Sequence, residues 1–443
     1  MEKSKRVLSF VLCAQLAACS LLSVPAAAIE YASADMYSDD GLVPLEPPAM
    51  PDFTIDPDHV EDGVMIGGVM IPKNTTEIAV TWDKISYIYD GKLHEYPILY
   101  TNPTNPNNPS YDYSVYTNFP KLKSLHFDYP SIDIYQDDPE KVLKTFAELG
   151  TIKTLKEFKV NLRILPHNGN IPNTEADGSA RVYDVMRRFT GLEKLEMCLF
   201  DDTRTTTSIS FVSELKKLKE LRLSVSGTEN TISLSPLSGL SDLTSLELDF
   251  APTSAGDAIG FKNPEALGKL KKLKRFGITD AKLSKKELKI ISKMSGLTEL
   301  DLSCTEISDI GSLKKLTKLK TLYLGGNNIT DISALSGMKK LQSLDLRENN
   351  ISDISVLSGM KKLKKLDLSC NPIGSIKPLS GLTGLTELGL RSEYDYDTQK
   401  YIYTYSDLTP LKKLKKLRRL YISGDDRIEK AKKLLPECEV SEN

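Results

Sequence analysis

Leucines stand at Leu297, Leu319, Leu341, Leu363 and Leu385, each 22 residues after the one before. Between them the pattern Leu-x-x-Leu-x-Leu-x-x-(Asn or Thr)-x-Ile-x-x-Ile-x-x-Leu-x-x-(Leu or Met) recurs, as in Leu319, Leu322, Leu324, Asn327, Ile329, Ile332, Leu335 and Met338. A constant period over this distance predicts stacked coils rather than a globular enzyme domain. Within a coil, Leu322 and Leu324 alternate as in a strand and point inward, while Thr321, Tyr323 and Gly325 point outward. The remaining stretch, about a dozen residues with Ile or Leu every third, suits a single 3₁₀ or α turn.

The pattern is that of a leucine-rich repeat. The expected fold class is therefore an α/β repeat, a leucine-rich repeat solenoid with a curved, parallel concave sheet and short 3₁₀ or α turns on the convex side. Weaker copies place strands at Ile78 and Val80, Leu125 and Phe127, Phe158 and Val160, Leu195 and Met197, Leu221 and Leu223, Leu246 and Leu248, Phe276 and Ile278, and Leu300 and Leu302. With Leu322, Leu344, Leu366, Leu388 and Leu420 these make thirteen, and at ~4.8 Å between strands the sheet runs roughly 60 Å. Asn327, Asn349 and Asn371 share one column, where a buried amide satisfies backbone groups of its turn and of the neighbouring coil. One coil cannot bury its own apolar edge, so the ends need caps.

Asn327 to Ser333 reads Asn-Asn-Ile-Thr-Asp-Ile-Ser, and Asn349 to Ser355 reads Asn-Asn-Ile-Ser-Asp-Ile-Ser. These coils resemble the internalin-type repeats of Gram-positive surface proteins. The resemblance implies a repeat solenoid with a binding role.

The N-terminus carries Lys3, Lys5 and Arg6 and then an apolar stretch from Val7 to about Ala28, which reads as a signal peptide over 1–28. Ala26-Ala27-Ala28 offers an ordinary cleavage site, and Leu16-Ala17-Ala18-Cys19 resembles a lipobox in which Cys19 is acylated. The two readings imply a freely secreted chain or one held on the outer face of the membrane. Residues 29–64, with Pro44, Pro47, Pro48, Pro51 and Pro57 among many acids, read as an extended tether. The repeat domain is expected over 65–443, most regular over 297–390, with a C-terminal cap over 425–443. Thr101 to Tyr116 and His167 to Gly178 read as surface loops. A helix is expected after Asp138-Pro139, burying Val142, Leu143, Phe146 and Leu149, and another capped by Asp426 and stopped by Pro436.

Composition removes several kinds of chemistry. Beyond the leader only Cys198, Cys304, Cys370 and Cys438 remain; Cys304 and Cys370 lie three coils apart, roughly 14 Å by strand spacing, too far for a disulfide, and are expected as buried free thiols. His59, His94, His126 and His167 are scattered, with only His126 in an outward strand column, and no zinc spacing occurs. No nucleophile, base and orienting set is recognisable and no phosphate-cradling glycine loop is present, so the chain reads as a non-enzyme without cofactor or metal.

Net charge is -2, yet residues 29–150 hold 7 Lys or Arg against 21 Asp or Glu, and residues from 151 onward hold 48 against 38. Much of the positive charge recurs just before strands, as Lys216 and Lys217, Lys271 and Lys272, Lys339 and Lys340, Lys361 and Lys362, and Lys415 and Lys416. Stacked in register, these make a basic ridge that is either a solvated edge or a contact for anionic wall polymer or membrane.

The concave face is the default partner surface. Its outward columns carry Glu299, Asp301, Thr321, Tyr323, Ser343, Asp345, Arg347, Lys365, Asp367, Glu387, Arg391, Arg419 and Tyr421. Asp345 and Asp367 are neighbours, forming a cation site or a cluster neutralised by Arg347 and Lys365. The step from Leu385 to Leu417 spans 32 residues because of an insertion, Ser392 to Tyr405, containing Tyr394, Tyr396, Tyr401, Tyr403 and Tyr405. Alternation aligns Tyr401, Tyr403 and Tyr405, with a hairpin turn at Asp397 to Lys400; the rings either meet a partner or pack on their own coil.

These features predict a monomeric, non-catalytic extracellular binding protein for a protein or cell-surface polymer, with no nucleic-acid partner and membrane contact only through an N-terminal lipid. A cell-envelope scaffold acting through the basic edge is the alternative. An enzyme is the least supported class.

Overall fold

The structure is a computed structural model and describes residues 62–66, 69–81, 84–97, 113–133, 139–164, 178–201, 208–226, 231–250, 259–395 and 397–442. The leader, the tether to residue 61, Cys19, His59, His167, residues 101–112 and Tyr396 lie outside the described residues.

Every one of the thirteen expected strands lies in a single 16-stranded sheet, paired parallel to its neighbours from Glu77–Val80 through Arg419–Ile422. The register keeps like with like, Leu300 against Leu322, Leu344, Leu366 and Leu388 in turn. Each of these leucines is at most 2% exposed, so every coil contributes the same apolar layer to one continuous core. A fully buried leucine contributes about 1.5–3 kcal/mol, which explains why the pattern tolerates almost any residue at the outward positions and almost none at the inward ones.

The return path is a short 3₁₀ helix in each regular coil, at Gly311–Lys315, Ser333–Gly337, Ser355–Gly359, Lys377–Gly381 and Thr409–Lys413. Helices replace it where the sequence gives a longer amphipathic run: α1 (Pro139–Leu149), α2 (Gly178–Met186) and α3 (Lys285–Ile291). α1 buries Leu143, Phe146 and Leu149. A capping box starts α3, Ser284 accepting from Lys286 N while Glu287 accepts from Ser284 N.

Three strands extend the sheet beyond the thirteen. At the N-terminal end Lys84–Tyr89 and Lys92–Pro97 fold back antiparallel on Glu77–Val80. Asp90 and Gly91, both at positive φ, make their turn. At the other end Glu439–Ser441 pairs with Arg419–Ile422 after helix α4 (Asp425–Leu434). Three pairs stand apart from the sheet: an antiparallel hairpin of Gly63–Ile66 with Val69–Pro72, a parallel pair of Thr231–Ser233 with Gly260–Lys262, and an antiparallel hairpin of Glu393–Asp395 with Lys400–Ile402.

Several expectations are corrected. The stretch ending at Tyr116 is not surface loop throughout, because Tyr113–Asn118 forms a 3₁₀ helix that buries Tyr113 and Tyr116 edge-on against Phe127. Gly178 begins α2 rather than closing a loop. Helix α4 is entered through Gly424 at φ 87 with no side-chain cap, and Asp426 lies in its first turn. Of the two thiols expected to be buried, Cys304 is and Cys370 is only half-buried, because it sits at a turn; Cys198 and Cys438 are half-buried as well.

Candidate functional site

The asparagine column is built from backbone outward. Asn327 Nδ2 donates to Leu302 O at 2.8 Å in the preceding coil and to Leu324 O at 3.0 Å in its own, while Oδ1 accepts from Thr305 N and Ile307 N at 3.1 Å. Asn349 and Asn371 repeat this, donating to Leu324 O and Leu346 O and accepting from Ile329 N and Ile351 N. One amide thus closes a turn that the main chain leaves open and ties each coil to the one before.

On the outward face, register places bases beside acids. Lys194 meets Glu157 at 2.5 Å, Arg222 meets Glu247 at 3.4 Å, Arg275 meets Glu299 at 3.2 Å, and Glu387 takes both Lys365 at 3.2 Å and Arg419 at 2.8 Å. His126 follows the same pattern, 3.3 Å from Glu157. Asp345 and Asp367 are register partners, and Arg347 lies 3.3 Å from Asp345. Lys365 turns to Glu387 instead. Burial holds the Asp345 carboxyl above the usual carboxylate range despite Arg347, and the neighbouring Asp367 adds to the rise. No grouping of three or more metal-ligating side chains occurs among the described residues.

The outward column has a gap at Gly277, between Glu247 and Asp301. It leaves a hollow of about 40 Å³ walled by Arg222, Glu247, Arg275, Glu299, Asp301 and Tyr323, room for a water or one side-chain tip rather than a drug-sized ligand. Burial pushes Asp301 up to about 6, although Ser303 donates to it, and raises Glu247 and the Tyr323 hydroxyl. The leucine period gave no warning of this hollow, and the glycine itself is no clear signal, because Gly389 stands in the same column.

The insertion leaves the sheet just beyond Arg391, whose guanidinium lies 5.8 Å from the Tyr421 ring centroid. It forms a hairpin of Glu393–Asp395 with Lys400–Ile402, pairing Tyr394 with Tyr401. Residues 397–399 belong to its turn, whereas Lys400 belongs to a strand, and Gln399 takes the positive φ that the reversal needs. Tyr394 packs edge-on against Tyr401 at 5.0 Å, and Tyr401 lies 6.2 Å from Tyr403. Arg427 of α4, only 7% exposed, is sandwiched between Tyr403 at 4.6 Å and Tyr405 at 4.5 Å. Cation and π faces replace a carboxylate here. Tyr405 donates to Leu390 O, and Arg427 to Ser392 Oγ. Tyr401 is pushed up to about 12, first by its hydrogen bond to Glu442 and then by burial.

The aromatic run therefore divides. Tyr405 is half-buried and anchors the segment, whereas Tyr394, Ile402 and Tyr403 are 36, 48 and 46% exposed. The structure brings Tyr394, Tyr401, Tyr403 and Tyr405 into one row with Arg427. Asp367 lies on the strand next to the one that leads into the hairpin, Asp345 and Arg347 in the coil before it and Tyr323 one coil further, while Tyr421 lies on the other neighbour of that strand. Arg427 was missed by sequence reasoning, since a lone arginine in a charged helix carries no signal.

Leucine-rich repeat models match residues 271–329, 295–351, 317–373 and 362–385, the stretch whose strands and 3₁₀ turns form the regular coils. These residues carry leucine-rich repeats, and the sheet they belong to is that of a leucine-rich repeat solenoid. Its most regular repeats are internalin-like in sequence. No curated protein matches the chain. Among solved structures, the repeat protein is similar to an internalin (inlF) from Listeria monocytogenes, at 20% identity over 74% of this chain and 82% of that one, with a TM-score of 0.49. Internalin C2 of the same organism is 29% identical over 46% of this chain and 83% of its own, with a TM-score of 0.38. A leucine-rich repeat protein of Leptospira interrogans is 19% identical over 76% and 93%, with a TM-score of 0.42. No helix among the described residues is long and apolar enough to cross a membrane.

Proposed function

We propose that this leucine-rich repeat protein is a non-catalytic extracellular binding module that takes a protein or surface-polymer partner on its concave face and tyrosine hairpin. The observation that carries the reading is the hairpin itself. It holds Tyr394, Ile402 and Tyr403 exposed at one end of the sheet, on a base fixed by Arg427 and Tyr405. Rigid aromatic side chains give large contact area at small entropic cost. The concave columns beside it are polar and internally ion-paired, which suits a specific contact of moderate affinity. Secretion by the leader, with or without acylation at Cys19, would place this surface outside the cell.

The test is a Tyr394→Ser/Ile402→Ser variant compared with the parent for retention of surface extracts from bacterial and host cells. Neither residue is buried, so the melting temperature is expected to stay within about 2 °C, as for surface substitutions. Loss of retention at least tenfold supports the reading. Undiminished retention by a folded variant removes the hairpin from the site.

A further inference from the structure

The face opposite the concave sheet carries a different charge pattern. The five stretches 311–320, 333–342, 355–364, 377–386 and 409–418 hold fifteen Lys or Arg and no Asp or Glu. Each comprises a 3₁₀ helix and the turn leading to the next strand, and successive helices lie side by side. All fifteen basic residues are exposed, and none makes an ion pair with an acid among the described residues. On the concave side the same coils pair Lys365 and Arg419 with Glu387 and Arg347 with Asp345. Four exposed acids, Asp309, Asp331, Asp353 and Asp407, stand just before these helices and accept from the backbone of their own turns, so this side carries a large excess of cations that the strand side does not.

The composition of the strip narrows its ligand. These stretches contain no Phe, Tyr or Trp, so there is no platform for stacking nucleic-acid bases. No large hydrophobic side chain is exposed along them, so nothing is available to insert below lipid headgroups. All but one of the cations are lysines, which serve as point charges for phosphate rather than as bidentate forks.

We propose that this strip binds a linear polyol-phosphate polymer, one phosphodiester charge per unit, laid along the stack from the 3₁₀ helix at Gly311 to the turn before Arg419. Lysines of successive coils meet successive phosphates, and binding is driven by release of the counterions that both partners hold.

The experiment follows fluorescein-labelled poly(glycerol phosphate) binding to the full chain by anisotropy between 50 and 300 mM NaCl. The parent is expected to bind at 50 mM with a steep fall in affinity as salt rises. Lys339→Gln/Lys340→Gln/Lys361→Gln/Lys362→Gln is expected to bind at least tenfold more weakly. Its log-log salt slope is expected to be shallower by about 3, at roughly 0.7 per charge removed. A control with the same charge change, Lys92→Gln/Lys121→Gln/Lys123→Gln/Lys153→Gln, removes exposed lysines outside the strip and is expected to bind within twofold of the parent. Absence of binding at 50 mM, equal loss from both variants, or tighter binding at equal phosphate to phosphatidylglycerol vesicles or to oligo-dT each overturns the proposal. The Tyr394→Ser/Ile402→Ser variant is expected to keep polymer binding, which separates this result from the fate of the hairpin reading.

Discussion

Asp280, Cys304, Gly326, Glu348 and Cys370 occupy the same place in five successive coils, and all have φ between 53 and 65. The turn out of each strand demands this left-handed conformation, which only Gly326 adopts without cost. A Cβ there would lie 2.7 Å from Cys304 Sγ, so the coil that escapes backbone strain leaves its neighbour's thiol the space. Asp280 adds an electrostatic penalty. It is 6% exposed, its Oδ1 lacks a hydrogen-bond partner, and it lies against Asp249, with Asp301 and Cys304 facing it from the next coil. Burial first, and then the Asp249 charge, raise its pKa, so the folded protein keeps a proton that the unfolded chain releases near pH 4. Stability must therefore fall as pH rises above the unfolded value, by up to about 1.4 kcal/mol per unit per proton, until the folded pair ionises. Asp280→Asn, followed by denaturant titration from pH 5 to 8, is expected to flatten that decline and to be more stable than the parent at pH 8. Parallel curves would show that Asp280 does not carry the proton.

At the scale of elements, legibility followed periodicity. Every strand with the two inward apolar residues was legible because a buried row demands it. The strands at Lys84–Tyr89 and Lys92–Pro97 were missed although Asp90-Gly91 is a hairpin signal, because the eye follows the 22-residue register and these strands run against it. α3 was missed for the same reason, despite its Ser284-x-x-Glu287 box. The candidate hairpin was legible as an insertion rich in tyrosine, but its division into anchor and exposed tip was not, since that depends on Arg427 arriving from a helix some two dozen residues on. Arg427→Met keeps the volume and removes the cation. It is expected to free the hairpin from its base, seen as faster amide exchange over 393–405 with protection of the Leu344 and Leu366 strands unchanged. Equal protection in both proteins would mean that ring packing alone fixes the hairpin.

The whole molecule is a single apolar stack with two unlike faces. Its concave side has ion pairs matched by register, a small hollow at Gly277 and an exposed aromatic hairpin at one end. Its opposite side presents an excess of exposed lysines from stacked 3₁₀ turns. Nothing in the repeat consensus separates these faces, because outward strand positions and turn positions are both free to vary; only placing them on the coil shows where each charge goes. We propose that partners meet the concave face and the hairpin. Photo-crosslinking tests this, with benzoylphenylalanine placed singly at Tyr394, at Tyr421 and, as a control outside both the concave face and the lysine strip, at the exposed Lys153. Adducts with one surface component from positions 394 and 421, and none with it from 153, are the predicted result. Adducts with such a component from 153 alone, or equally from all three positions, would contradict it.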